Sequence, residues 1–181
     1  PEAEPRRLRH RETDRFVHDA ILAERGTSVW PLSVAADRIA VCAWRCAALL
    51  SERDVDRTGA GGVVEVYPAG ALAMWGLPHR GYKRNSRTSA ETALAKRRTI
   101  LASIRAAAGA RLEVPDEVLA DDDAFDAFVS ALVARAAAVE QTIAPPADLR
   151  SAAAREGWIH LPLPDSLTTV LKRPKPAGPS S

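Results

Sequence analysis

Phe125, Phe128, Val129, Leu132, Val133 and Ala136 recur three and four residues apart through the segment DDDAFDAFVSALVARAAA. At about 100° per residue this spacing puts all six on one side of a helix, and so continuous an apolar stripe has to be buried against other elements. The same arithmetic sets Asp122 and Asp126 one turn apart on the flank of the stripe, with Asp123 turned further toward solvent.

Other segments carry the same period. Phe16, Val17, Ala20 and Ile21 predict a helix near 14 to 25, with Thr13 as N-cap and Gly26 as the stop. A second helix is expected from Ser33 to about Arg53. Val34, Ile39, Val41, Trp44, Leu49 and Leu50 make it apolar around most of its circumference, as a helix buried between layers would be. Cys42 and Cys46 fall inside it and read as reduced, buried small side chains, too few and too local for a disulfide framework. A short helix through Ala71, Leu72 and Trp75 should stop at Gly76. Thr88 with Glu91 makes a capping box for a helix closed by Gly109, and Pro115 precedes another helical start. PPADLRSAAAREG reads as a short helix ended by Gly157.

Two stretches read differently. VVEVYP, bounded by glycines and a proline, has the β-branched and aromatic content of a buried strand, and WIHLP reads as a closing strand. Glu65 interrupts the first. A carboxylate in a buried strand costs several kcal/mol unless it is paired, hydrogen-bonded or coordinating a cation, so Glu65 needs a partner.

A chain of 181 residues is the size of one domain, and 46% hydrophobic with 27% charged residues is the balance of a packed globular protein. No apolar run approaches the roughly 18 residues that span a bilayer, and PEAEPRRLRHRETD lacks the greasy core of a signal peptide, so no membrane association and a cytoplasmic address are expected. The start on Pro suggests a fragment. Residues 172 to 181, basic and proline-rich, are expected to form a disordered tail.

The net charge of +2 is too small to name a nucleic-acid partner by itself, although 21 of the 25 basic residues are arginine, whose planar fork suits phosphate. Local crowding is more telling: Arg6, Arg7, Arg9, Arg11 and Arg15 in one segment, Arg80, Lys83, Arg84 and Arg87 in another. Glu65 in a strand and the Asp122, Asp123, Asp126 patch on a late helix together suggest a site for a hard divalent ion such as Mg²⁺, which favours carboxylate oxygens and leaves positions for water and phosphate. The alternative is that Glu65 pairs with an arginine while Asp121 to Asp123 cap their helix.

RETDRFVH, SVAADRIAVCAWRCAALL, VVEVYPAGALAMWGLPHRGYK, DDAFDAFVSAL and REGWIHLP, in that order, resemble the bacterial predicted RNase H-like nuclease family (domain of unknown function 429) from about Arg11 to Pro162. The resemblance implies an α/β fold: an RNase H-like mixed sheet flanked by helices, spanning 1–171 and lacking its first strands, because the family's opening strand with its glycine and aspartate has no counterpart here. It also implies a metal-dependent nuclease using Mg²⁺ or Mn²⁺. Carried over by position, Glu65 is the middle-strand acid and Asp126 the helix acid, with Asp123 or Asp122 beside it. Arg11, Asp14, Arg80 and Lys83 fall in matching motifs, near nucleic-acid substrate or in structural ion pairs. Two other readings remain: a noncatalytic nucleic-acid-binding module, and a small-molecule phosphoryl-transfer or regulatory domain.

Overall fold

A computed structural model describes residues 9–34, 39–53, 55–109 and 112–172. The tail expected from 173 onward, and Arg6 and Arg7, lie outside the described residues.

The structure is helical. Its helices are α1 (Glu12–Arg25), α2 (Ala40–Ser51), α3 (Pro68–Met74), α4 (Ala90–Ala108), α5 (Asp116–Ala120), α6 (Asp122–Ala138), α7 (Arg150–Glu156) and α8 (Leu167–Leu171), with a 3-10 turn at Ala147–Leu149. The stripe on α6 is buried as its spacing requires: Phe125, Val129, Leu132, Val133 and Ala136 all face inward.

α3 is the pivot. Every residue from Gly70 to Met74 is buried, so the short helix presents apolar surface on both sides. Ala71 and Leu72, with Trp75 beyond its end, join Ile100 and Ile104 of α4, the α6 stripe, and Leu167 and Val170 of α8 in the larger core. Ala73 and Met74 turn the other way, to Val17 and Ile21 of α1 and to Ile159 and Leu161. Gly70 permits the close approach, since a Cβ there would stand 2.5 Å from the Tyr67 ring and 3.2 Å from Ile21. Trp75 Nε1 donates to Ser166 Oγ at 3.1 Å and ties α3 to the start of α8.

Helix ends follow local chemistry. α1 stops at Gly26 in the left-handed conformation (φ 62°), its N–H returning to Leu22 O at 2.9 Å. α4 stops likewise at Gly109 (φ 65°), but its N-cap is Ser89, which accepts from Thr92 N at 3.1 Å. Thr88, the expected cap, instead bridges to Asn85.

The expected RNase H-like mixed sheet is not there. Among the described residues no strand forms, and the only pairings are isolated bridges, Glu65 with Ile159 (parallel), Thr142 with Pro162 and Asn85 with Thr88. VVEVYP and WIHLP do lie side by side, with His160 N donating to Glu65 O at 2.9 Å. A ladder of two short segments is marginal, however, and Pro68 turns the first into α3 after one bridge.

α2 departs from expectation as well. It forms, but of its residues only Ala40 is buried, while Val41, Trp44 and Leu49 are 53, 61 and 57% exposed. Cys42 and Cys46 are free thiols, as expected, but exposed instead of buried. Apolar character all round a helix signals burial only where a neighbouring layer covers it. Here the helix borders an apolar hollow of about 600 Å³ together with Val63 and Val64. No described helix is long and apolar enough to cross a membrane.

Candidate functional site

Arg11 sits at the N-cap of α1, and its guanidinium is the hub of one wall. Nε and Nη2 donate to Asp14, Nη2 at 2.8 Å from Oδ1. Nη1 and Nη2 donate to Glu65 at 3.0 and 2.5 Å, and Nη1 also to Glu156 O at 2.8 Å. All five donor positions of the fork are thereby engaged. Burial opposes the charge, yet Glu65 and Asp14 outweigh it and hold the guanidinium above its ordinary pKa. Asp14, fully buried, also accepts from Arg11 N at 3.0 Å, so its carboxylate closes the first turn.

The C-terminus of α7 completes this wall. Glu156 Oε2 accepts from Thr13 N and Oγ1 at 3.2 and 3.3 Å, and Glu156 O accepts from Arg57 Nη2 at 2.9 Å. Gly157 then takes φ 95° directly under the ion pair. A Cβ on it would lie 2.7 Å from Glu65 Oε2 and 3.0 Å from Arg57 Nη2.

The opposite wall is built on α6. Asp126 accepts from Tyr82 Oη at 2.9 Å and from Lys83 Nζ. Burial, then the Asp126 charge, push the Tyr82 hydroxyl well above the usual range. Lys83 keeps further N–H groups for another partner and is 43% exposed. Just beneath, Asp122 accepts from Arg84 N at 2.8 Å and from Arg97, a buried arginine that also donates to Tyr82 O at 2.7 Å and Leu119 O at 2.8 Å. Arg97 therefore fixes the basic loop to the N-terminus of α6. Asp121 caps that helix by accepting from Asp123 N and Ala124 N at 2.9 and 2.8 Å.

Between the walls lies a cavity of about 390 Å³ into which Arg11, Glu65, Lys83 and Asp126 all open, with Tyr67, Tyr82 and His79 completing the lining. Glu65 and Asp126, 61 positions apart in the sequence, line one cleft. The remaining predicted site residues stand outside it. Asp14 is buried behind Arg11, Asp122 is held by Arg97, and Asp123 is exposed. Arg80 is exposed and donates to Ser28 O at 2.7 Å.

Mg²⁺ or Mn²⁺ does not fit the described residues. No three of their His, Cys, Asp and Glu side chains are grouped to hold an ion. The two carboxylates that share the cavity are neutralised instead by Arg11 and Lys83. The pairing of Glu65 with an arginine, and of the Asp121 carboxylate with its helix end, follows the alternative reading of the acidic residues.

The family described as Protein of unknown function (DUF429) matches residues 1–150. The chain belongs to the DUF429 family. That span holds every lining residue of the cavity except Ile159. No curated protein and no solved structure matches the DUF429 chain.

Sequence reasoning passed over three groups of this DUF429 site. Tyr67, whose hydroxyl donates to Trp30 O at 2.8 Å, is pushed up to about 12 by burial. Arg97 was not singled out, although helical spacing sets it among Ala93, Ile100, Leu101 and Ile104 on the buried face of α4. His79 stands in the WGLPHRGYK loop, and its Nε2 is buried without a hydrogen-bond partner. An unpaired buried polar atom costs about 1–3 kcal/mol.

Proposed function

We propose that the cavity between Arg11 and Asp126 is a phosphodiester site acting on nucleic acid, as a hydrolase. One observation carries the reading: Arg11, Glu65, Lys83 and Asp126, drawn from four separate segments, open into one cavity of about 390 Å³. That volume suits a single nucleotide unit, in the range of small-ligand clefts. Lys83 is the phosphate contact, because its ammonium has donors to spare and lies at a half-exposed edge beside Arg84 and Arg87. Arg11, with every donor engaged inside the protein, is a positioning group that holds Glu65 toward the cavity. Glu65 and Asp126 supply carboxylates that accept a proton from water, work that typically contributes about 10²–10⁴-fold to rate. The resemblance to bacterial predicted nucleases supports the same substrate class.

A second reading has one observation in its favour. The aromatic lining, with Tyr67 and Tyr82 among it, suits a free phosphorylated small molecule as well as one residue of a polymer.

The test is hydrolysis of end-labelled single-stranded DNA and RNA by the full chain, with and without Mg²⁺. Cleavage that falls at least a hundredfold in Glu65→Gln and in Asp126→Asn, with melting midpoints retained, supports the proposal. Undiminished cleavage in either variant removes that residue from the mechanism, and an absence of cleavage in the unaltered chain overturns the hydrolytic reading.

A further inference from the structure

Gly26 ends α1 in the left-handed conformation, and the chain turns back so that Ser28 returns to His18, ten positions earlier. His18 Nε2 lies 3.0 Å from Ser28 Oγ, and His18 Nδ1 lies 2.8 Å from Asp19 Oδ1. A carboxylate can only accept, so Nδ1 carries the ring proton and Nε2 accepts from the Ser28 hydroxyl. Carboxylate, imidazole and hydroxyl thus form a chain polarised toward Ser28 Oγ. The ring is held in that orientation by Trp30, stacked on it with centroids 3.9 Å apart and planes 17° from parallel. His18 is 8% exposed, whereas Ser28 at the end of the chain is exposed.

We propose that Asp19, His18 and Ser28 form a second catalytic site, separate from the phosphodiester cavity, in which Ser28 is the nucleophile of an ester hydrolase. Such a constellation is recognised by geometry and roles, whatever the order of its members along the chain. Ser28 Oγ bonds to the ester carbonyl carbon while His18 Nε2 takes its proton. The bond to the alcohol oxygen then breaks, and the alcohol leaves with that proton. Water attacks the acyl-serine by the same route, His18 returning the proton to Ser28 Oγ, and the carboxylic acid is released. Asp19 is a positioning residue, fixing the tautomer in which Nε2 is free to accept. Arg80, which donates from Nη2 to Ser28 O at 2.7 Å, brings a guanidinium beside the nucleophile. Its other N–H groups bond no described residue and can meet the negative charge that develops on the carbonyl oxygen. Ser28 lines neither the cavity nor the apolar hollow, so nothing grips a long acyl chain. The substrate class is therefore esters of short-chain acids.

The experiment treats the full chain with diisopropyl fluorophosphate, whose phosphorus the serine oxygen attacks with loss of fluoride, and locates the adduct by peptide mass mapping. Turnover of p-nitrophenyl acetate is followed in parallel. The adduct should fall on Ser28 and be absent in Ser28→Ala, an exposed position at which the fold is retained. Acetate hydrolysis should drop at least a hundredfold in Ser28→Ala and in His18→Gln, the usual worth of a positioned base. Asp19→Asn should lower kcat about tenfold at unchanged KM, a smaller loss because this carboxylate is 75% exposed and screened by water. A chain that takes no adduct, an adduct on another residue alone, or hydrolysis undiminished in Ser28→Ala overturns the inference. So does undiminished labelling of Ser28 in a folded His18→Gln. If His18→Gln melts below the assay temperature, Ser28→Ala and Asp19→Asn decide, and full kcat in Asp19→Asn removes the carboxylate from the site.

Discussion

Arg11 Nη2 lies 2.5 Å from Glu65 Oε1, across 54 positions of sequence, and the same guanidinium closes the first turn of α1 through Asp14. One side chain thus joins a helix start, a bridge segment and the end of α7. Removing one partner of a buried pair leaves the other charge unpaired. Arg11→Ala should therefore cost about 3 kcal/mol of unfolding free energy, read as a lower urea midpoint. Arg11→Lys should recover little, because an ammonium cannot hold two carboxylates with one planar fork. A loss below about 1 kcal/mol in the alanine variant would show that the hub is a surface pair.

Gly157 offers a second mechanical test. Its φ of 95° is unfavourable for any L side chain, and a Cβ would press on Glu65 Oε2 at 2.7 Å. Gly157→Ala should destabilise the fold by about 2 kcal/mol and displace the Glu65 carboxylate. Gly26→Ala, where φ is 62° and nothing lies within 4 Å, should cost less, about 1 kcal/mol. Equal thermal midpoints for the two variants would mean that contact with Glu65 adds nothing.

What could be foreseen from the residues depended on how local the deciding physics was. The α6 stripe, the glycine stops at Gly26 and Gly109, and the relative exposures of Asp122, Asp123 and Asp126 follow from helical period and backbone freedom within a few residues. The mixed sheet was misjudged because strand content is not sheet: VVEVYP has the right composition, but pairing needs partners that lie far along a chain, and it finds one bridge. The same holds for α2, whose composition announces burial without saying what covers it. At the site, the need of Glu65 for a counter-ion was plain, but that Arg11 meets it depends on tertiary geometry. His79 carried no pattern at all, since its unpaired nitrogen exists only once the loop is folded.

Alkaline pH should unfold the protein through its buried phenols. Burial pushes Tyr67 up to about 12 from an ordinary value of 10.0, and Tyr82 is raised too, by burial and then by Asp126. The folded state holds these protons more tightly than the unfolded chain. Their stabilising contribution is therefore complete below pH 10 and lost as pH climbs toward 12. Thermal midpoints should fall steeply above pH 10, and Tyr67→Phe should flatten that fall while lowering the neutral plateau by about 1 kcal/mol for the lost bond to Trp30. An alkaline limb unchanged in the variant would contradict the burial of Tyr67.

The exposed face of α2 predicts tolerance. Trp44→Gln and Leu49→Gln together should change stability by less than about 1 kcal/mol, because both side chains are more than half exposed. They should also reduce binding of an apolar dye. A large loss of stability would show that this helix is packed in solution.

The central claim is that Lys83 meets phosphate at the cavity holding Glu65 and Asp126. It is tested most directly by fluorescence anisotropy of a labelled single-stranded oligonucleotide titrated with the full chain and with Lys83→Gln. The account predicts binding that weakens with salt and about tenfold weaker binding by the variant, the worth of one charge-assisted contact. Equal affinities, or no binding by the unaltered chain, would contradict it.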